Sequence, residues 1–400
     1  MKVLQINATY GYSSTGLIVK DIGDMLEYNN DTAYFAYQSA NHNPKNGYVV
    51  GNKIDWKLHA VLCRIFGKQT YYSKIPTKQL IGFIEKIKPD IVHLHNLHSN
   101  FVHVNRLLRY LGQRDIATVI TMHDCWYFTG KCFHYVDVGC NRFITGCGNC
   151  PKKKAPPSSL IFDASKKVLK DKARLLSSIK RLKIVGCSKW VCDEAKKSLI
   201  NGLDIEHVYN GVDTEVFKPK DCTSLVEKYN LQDCYVIMGM ANKWLLNSNK
   251  QALIETIKVL NNKCKLVIVG CESEQIERLK QLSPNIIAVG FIKDRQELAK
   301  YYNLANVFVN VTHADTLPTV NMESICCGTP VITYDCCGSP ELIIDGCGKV
   351  VKENDIKQLI SSIISNMKKI EEGALNNARR VFDKNTCYKK YLEIYKNLKG

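Results

Sequence analysis

The chain has 400 residues, 45% of them hydrophobic and 23% charged, with a formal charge of +17. That length exceeds one ordinary core and fits two domains of about 200 residues. The composition is that of a globular protein, and no apolar run approaches the roughly 20 residues that cross a bilayer.

The first segment, "KVLQINA", alternates like a strand and lacks the long apolar stretch of a signal peptide, so the expectation is a cytoplasmic protein. A helix follows in "TGLIVKDIGDML", then a strand in "TAYFAYQ", a helix in "PTKQLIGFIEKIK" and a strand in "DIVHLHN". "FVHVNRLLRYLGQR" reads as helix, "IATVITMH" and "LKIVGCS" as strands, and "KWVCDEAKKSLI" as helix. Apolar runs alternating with amphipathic helices predict parallel sheets covered on both faces. Asn-Gly and Lys-Pro signals near 210–220 mark a boundary. Beyond it the rhythm restarts with strands "YVIMGMA", "CKLVIVG", "NIIAVG", "NVFVNV" and "PVITYD", and it ends in a separate helix, "NTCYKKYLEIYKNLK". Two such α/β units predict a ligand cleft.

Residues 151–200 hold 14 Lys/Arg against 4 Asp/Glu. The basic stretch 152–183 mixes lysines with Leu and Val at helical spacing, which suits an anionic membrane surface or a solvated helix face. Nucleic acid is disfavoured because no recognised binding motif accompanies the charge.

Most of the eighteen cysteines stand singly in apolar surroundings, as small hydrophobes do. Cys132, Cys140, Cys147 and Cys150 are different: the last two form a Cys-Gly-Asn-Cys knuckle suited to two thiolates on one metal. The expectation is a structural zinc in an insert at about 125–160, with Cys125 and His134 as substitute ligands, against free or redox-active thiols.

Three turns carry candidate chemistry. "GYSSTGL", from Gly11, places Gly16 at a strand-to-helix turn open to an anion, but Leu17 stands where the lysine of a P-loop must be. "TMHDCW" sets His123 and Asp124 at a carboxyl edge, where a histidine can meet a substrate hydroxyl or phosphate. "THADTLPTVNMESICCG" runs from a buried strand into a helix start at Pro318, whose free amides suit a diphosphate. Glu323 lies within that helix among apolar residues, and a carboxylate there needs a partner.

The segments "DTLPTVNMESICCGTPVITYDCCGSPELI", "LQINATYGYSSTGLIVKDI", "TMHDCWYFTGKC", "GCSKW" and "NGVDTEVFKP" together resemble the retaining glycosyltransferases of family 4, in the branch for exopolysaccharide or capsule assembly. The resemblance implies a GT-B fold of two Rossmann-like domains facing a central cleft. Residues 1–214 would bind the acceptor, 215–384 the nucleotide sugar, and 385–400 would cross back as a helix onto the N-terminal domain. It implies that Glu323 holds the donor ribose and Asp315, at the family's Glu-x7-Glu spacing, lies near the sugar ring. Backbone around Thr316, Leu317, Pro318 and Thr319 would cradle the diphosphate. Gly16 and His123 would line the donor sugar and phosphate. Lys243 matches the first of a basic pair, and Lys250 lies two residues past the second position. Ala314 stands where relatives often carry a glutamate. The implied reaction moves a sugar from a UDP- or GDP-sugar to a glycan or lipid-linked acceptor at the inner membrane face. No Asp-x-Asp signature is present, so no catalytic metal is expected. A non-catalytic nucleotide-sugar-binding scaffold and a GT-B epimerase are the alternatives, which donor turnover and product analysis separate.

Overall fold

The computed structural model describes residues 1–400. Seven strands precede the boundary: β1 (Lys2–Tyr10), β2 (Thr32–Ala40), β3 (Gly47–Val49), β4 (Ile91–Leu94), β5 (Ala117–Met122), β6 (Leu182–Gly186) and β7 (Ile205–His207). They form one sheet in the order β3-β2-β1-β4-β5-β6-β7, parallel throughout. Six follow: β8 (Tyr235–Met240), β9 (Cys264–Cys271), β10 (Ile286–Gly290), β11 (Val307–Asn310), β12 (Val331–Tyr334) and β13 (Gly348–Val351). Their order is β10-β9-β8-β11-β12-β13, again all parallel. The central strands β4, β5, β11 and β12 are buried at every residue, because helices cover both faces of a parallel sheet.

Two compact units result, Met1–Asn210 with Cys387–Gly400, and Gly211–Thr386. The final helix, Lys384–Lys399, carries Tyr388, Tyr391 and Tyr395, all buried in the core that contains Val3, Ile91 and Val119. Each ring burial removes enough apolar surface for roughly 4 kcal/mol of transfer free energy before entropy is counted. The hydroxyls are satisfied, Tyr395 Oη on His93 Nδ1 at 2.6 Å and Tyr391 Oη on Thr121 Oγ1 at 2.8 Å. This helix therefore belongs to the first unit although it ends the chain.

Short edge strands β3, β7 and β13 and the helix Lys53–Phe66 were not legible in the apolar rhythm. The helix had one local signal, a capping box in which Asn52 and Asp55 satisfy each other's backbone amides. Its pattern misleads because Ile54, Leu58 and Val61 face outward.

One lysine of the basic stretch is not on its exposed face. The helix Ser165–Leu176 buries Val168, Leu169, Lys172, Ala173, Leu175 and Leu176. The Lys172 ammonium lies 3.7 Å over the Trp126 ring and donates to the Trp126 carbonyl. Burial pushes it down to about 7, against the pull of nearby Asp124. Lys172 is thus an interior residue and offers nothing to a lipid surface.

Candidate functional site

β11 ends at Asn310, and the loop that follows leads into the helix Thr319–Cys326. Pro318 occupies the N-cap without a side-chain cap, so the first amides of the helix are not taken up by a capping side chain. Asn321 through Cys326 are buried, and Gly328 ends the run with φ +81°, a left-handed turn that favours glycine.

Glu323 therefore does not lie on a wet face; it is 9% exposed. Its two oxygens are held separately, Oε1 by Arg295 Nη2 at 3.4 Å and Oε2 by Tyr302 Oη at 3.1 Å. Burial raises the carboxyl above its ordinary range, against the pull of Arg295 and Tyr302. Tyr302 is raised in turn, by burial and by the Glu323 charge. Neither partner was visible in sequence spacing, since both come from the helix Arg295–Leu304, two elements upstream.

Lys243 sits in the short helix Ala241–Trp244 after β8. Its Nζ reaches Thr312 Oγ1 at 3.0 Å and Asp315 Oδ2 at 3.4 Å. Asp315 Oδ1 accepts from the Leu317 amide at 3.2 Å. The structure thus brings Lys243, Asp315 and Leu317 together, with Thr316 and Leu317 buried beside them. Lys250 stands at the exposed first turn of the helix Lys250–Val259.

A network absent from the sequence reading braces this loop. His313 Nδ1 meets Glu353 Oε1 at 2.6 Å and Nε2 meets Asn249 Oδ1 at 2.8 Å. Asn249 Nδ2 donates to the carbonyls of Lys243 and Val311 at 2.9 and 2.8 Å. One amide side chain therefore ties the Lys243 turn to the end of β11. The signal in the sequence was a polar residue in a strand-to-helix loop, which is too common to single out.

In the first unit, Gly16 lies in the helix Ser13–Tyr28, where a Cβ would come within 2.7 Å of Thr9 Oγ1 and 3.2 Å of the Thr9 carbonyl carbon. Close packing of helix on β1 alone demands glycine there. His123 follows β5, with Nε2 3.1 Å from His95 Nδ1. Burial lowers His123 to about 4, with Asp124 opposing, so the ring is neutral near pH 7. Asp124 itself pairs with His98 Nε2 at 2.9 Å.

In the cysteine insert Cys132 and Cys150 lie against each other, with Cys147 near Cys140 and both of them, and Cys147 accepts from the Gly130 amide at 3.3 Å. Cys132, Cys140, Cys147 and Cys150, with Cys125 and His134 as substitutes, remain the candidate ligands, and no three of them stand at metal-ligand geometry as the side chains are placed. Charged side chains also order this insert. Lys131 Nζ donates to the carbonyls of Lys152, Lys153 and Ala155 at 2.8, 2.9 and 3.1 Å, and Lys152 pairs with Asp137 at 2.6 Å.

Residues 49–216 match the model of glycosyltransferase family 4, and residues 236–369 that of the group 1 glycosyl transferases. Over 283 residues the chain is 24% identical to WcaC of Escherichia coli (strain K12), described as a colanic acid biosynthesis glycosyl transferase; the match covers 68% of this chain and 66% of that protein. The sucrose-phosphate synthase of Thermosynechococcus elongatus has a similar structure, with TM-score 0.71 at 14% identity over 100% of this chain and 99% of that one. Anabaena HepE in complex with UDP gives TM-score 0.66 at 14% identity over 99% and 100% of the two chains. With both family models spanning most of the two parallel-sheet units, the chain belongs to the group 1 and family 4 glycosyltransferases of GT-B fold.

Proposed function

We propose that the chain is a retaining, metal-independent transferase that moves a sugar from a nucleoside-diphosphate sugar to a hydroxyl of a glycan or lipid-linked glycan during polysaccharide assembly. The observation that carries the reading is Glu323, a buried carboxylate eight residues after Asp315, which is itself ion-paired with Lys243. In this reading residues 215–384 take the donor and residues 1–214 the acceptor, with 385–400 as the crossing helix.

Glu323 exchanges one of its protein partners for the ribose hydroxyls. Lys243 gives up Asp315 to meet the diphosphate, joined by amides of Thr316, Leu317 and Thr319, the last beside Pro318, and by the exposed charge of Lys250. Asp315, released, faces the sugar ring. The bond from the anomeric carbon to the phosphate oxygen breaks, and the acceptor oxygen bonds that carbon from the same face. Its proton passes to the departing phosphate, whose developing charge the lysine and amides stabilise. Gly16 and His123 remain proposed contacts of phosphate and sugar. A uracil base is favoured by the UDP complex of the similar Anabaena protein. The test is donor turnover by the purified chain in excess EDTA. Turnover of a UDP- or GDP-sugar supports the reading; no turnover with chelator but activity with added divalent ion defeats the metal-independent mechanism.

Membrane contact, first expected at 152–183, is better supported where Leu160 and Phe162 of that segment meet the helix Lys53–Phe66. No helix is long and apolar enough to cross a membrane. The helix Lys53–Phe66 exposes Ile54, Leu58 and Val61 on one stripe, 78%, 58% and 52% accessible, beside Lys53, Lys57 and Arg64. Leu160 and Phe162 extend that stripe, their amides bonded to the carbonyls of Arg64 and Ile65. An outward apolar stripe rimmed by cations suits an anionic bilayer surface, each cation adding about 1 kcal/mol. Flotation with anionic vesicles should recover the wild type and lose Leu58→Asp/Leu160→Asp by at least tenfold. Equal flotation of both proteins excludes this surface.

A further inference from the structure

The turn after β12 presents two adjacent thiols to the loop that carries Asp315. Neighbouring side chains in extended chain point to opposite faces, but Cys337 adopts φ +51°. Its sulfur lies 3.5 Å from that of Cys336. A disulfide would need about 2.05 Å. Two sulfurs bound to one thiophilic centre, by bonds of about 2.3 Å, stand roughly 3.3–3.8 Å apart. The pair is already spaced for that second arrangement.

Three contacts bind it to the loop. The Cys336 thiol donates to the His313 carbonyl at 2.8 Å, and the Gly338 amide donates to the Asp315 carbonyl at 3.2 Å. The Asp315 amide in turn donates to the Cys337 sulfur. Cys336 is buried and Cys337 half-exposed, so a reagent reaches Cys337 first. Only these two sulfurs converge there, short of the four ligands of a structural zinc.

We propose that Cys336 and Cys337 form a two-thiol binding site for a soft trivalent centre of the arsenical class, and that its occupation closes the donor site. The second half rests on the reading of the Thr312-to-Leu317 loop as the diphosphate cradle. With phenylarsine oxide the step is a condensation. The arsenic–oxygen bond breaks, two arsenic–sulfur bonds form, and the oxygen leaves with both thiol protons as one water. Arsenic stays trivalent. The Cys336 proton that bonded the His313 carbonyl is gone, and the loop holding Asp315 loses that tie.

The full chain is treated with phenylarsine oxide and read in two ways, by peptide mapping of the adduct and by the thermal shift that UDP induces. The expected result is an adduct across 336–337, reversed by a dithiol and resistant to a monothiol, with the UDP shift abolished. Cys337→Ser should lose the adduct and be at least tenfold less sensitive. Cys132→Ser, which breaks the Cys132–Cys150 pair, should stay as sensitive as the wild type. An adduct that maps elsewhere, or Cys337→Ser as sensitive as the wild type, overturns the site. An adduct at 336–337 that leaves the UDP shift intact overturns the closure. If untreated protein shows no shift with UDP or GDP, the donor reading fails instead, and the mapped adduct still decides the dithiol site.

Discussion

Glu323→Ala lowers kcat/KM for the nucleotide-sugar donor by roughly 10²–10⁴-fold. In the proposed donor complex the carboxylate accepts two ribose hydroxyls, and hydrogen bonds to a charged group contribute about 1.5–3 kcal/mol each. Truncation also leaves Tyr302, fully buried, and Arg295 without their acceptor. Part of any loss in that variant would therefore be structural. Glu323→Gln separates the effects, because it keeps the shape and one acceptor while removing the charge. Its melting temperature should equal or exceed that of the wild type, since burial of the carboxylate is costly. The linkage has a definite sign. A carboxyl raised in the folded state binds more protons there than in the unfolded chain, so stability falls as pH rises above the ordinary carboxylate range. The Gln variant should lose that slope while its donor turnover stays low. Wild-type turnover in either variant would sink the assignment of Glu323 to the donor.

Lys243→Ala lowers kcat by about 10²–10³-fold with a smaller change in KM, the loss expected when one group facing the developing charge is removed. In the ligand-free protein its ammonium is shared between Thr312 and Asp315. That ion pair is partly exposed, so it contributes only about 0–1 kcal/mol to stability, and the melting temperature should barely move. Lys243→Arg keeps the charge but spreads it over a planar fork, and should recover part of the rate. A kcat unchanged in Lys243→Ala would show that the diphosphate leaves without this residue.

Strand and helix order was legible because apolar period is a local property. "VFVN" and "VITY" are uninterrupted apolar-rich runs, and they are buried at every residue. The candidate site was legible to the same extent where it is local in the chain. Asp315, Thr316, Leu317 and Glu323 lie within nine residues, and the structure does bring Lys243 onto Asp315 from 72 positions away. Arg295 and Tyr302 escaped, as did the Asn249–His313–Glu353 brace, because their partners meet only after β8, β11 and β12 are laid side by side. In the cysteine insert the spacing of Cys132, Cys147 and Cys150 indicated which sulfurs approach one another, but not that Lys131 claims the carbonyls of Lys152, Lys153 and Ala155.

By itself the sequence determined two parallel α/β units, a separate terminal helix and a motif-bearing loop after β11, all of which follow from side-chain period and turn chemistry within short windows. Tertiary structure alone decided the rest. It gave Glu323 two protein partners in place of water and took Lys172 from a basic stripe into the interior. It turned Ile54 and Leu58 outward on a helix that the apolar rhythm did not reveal. Each of these depends on which surfaces the sheets place in contact, and burial and charge pairing are properties of that contact.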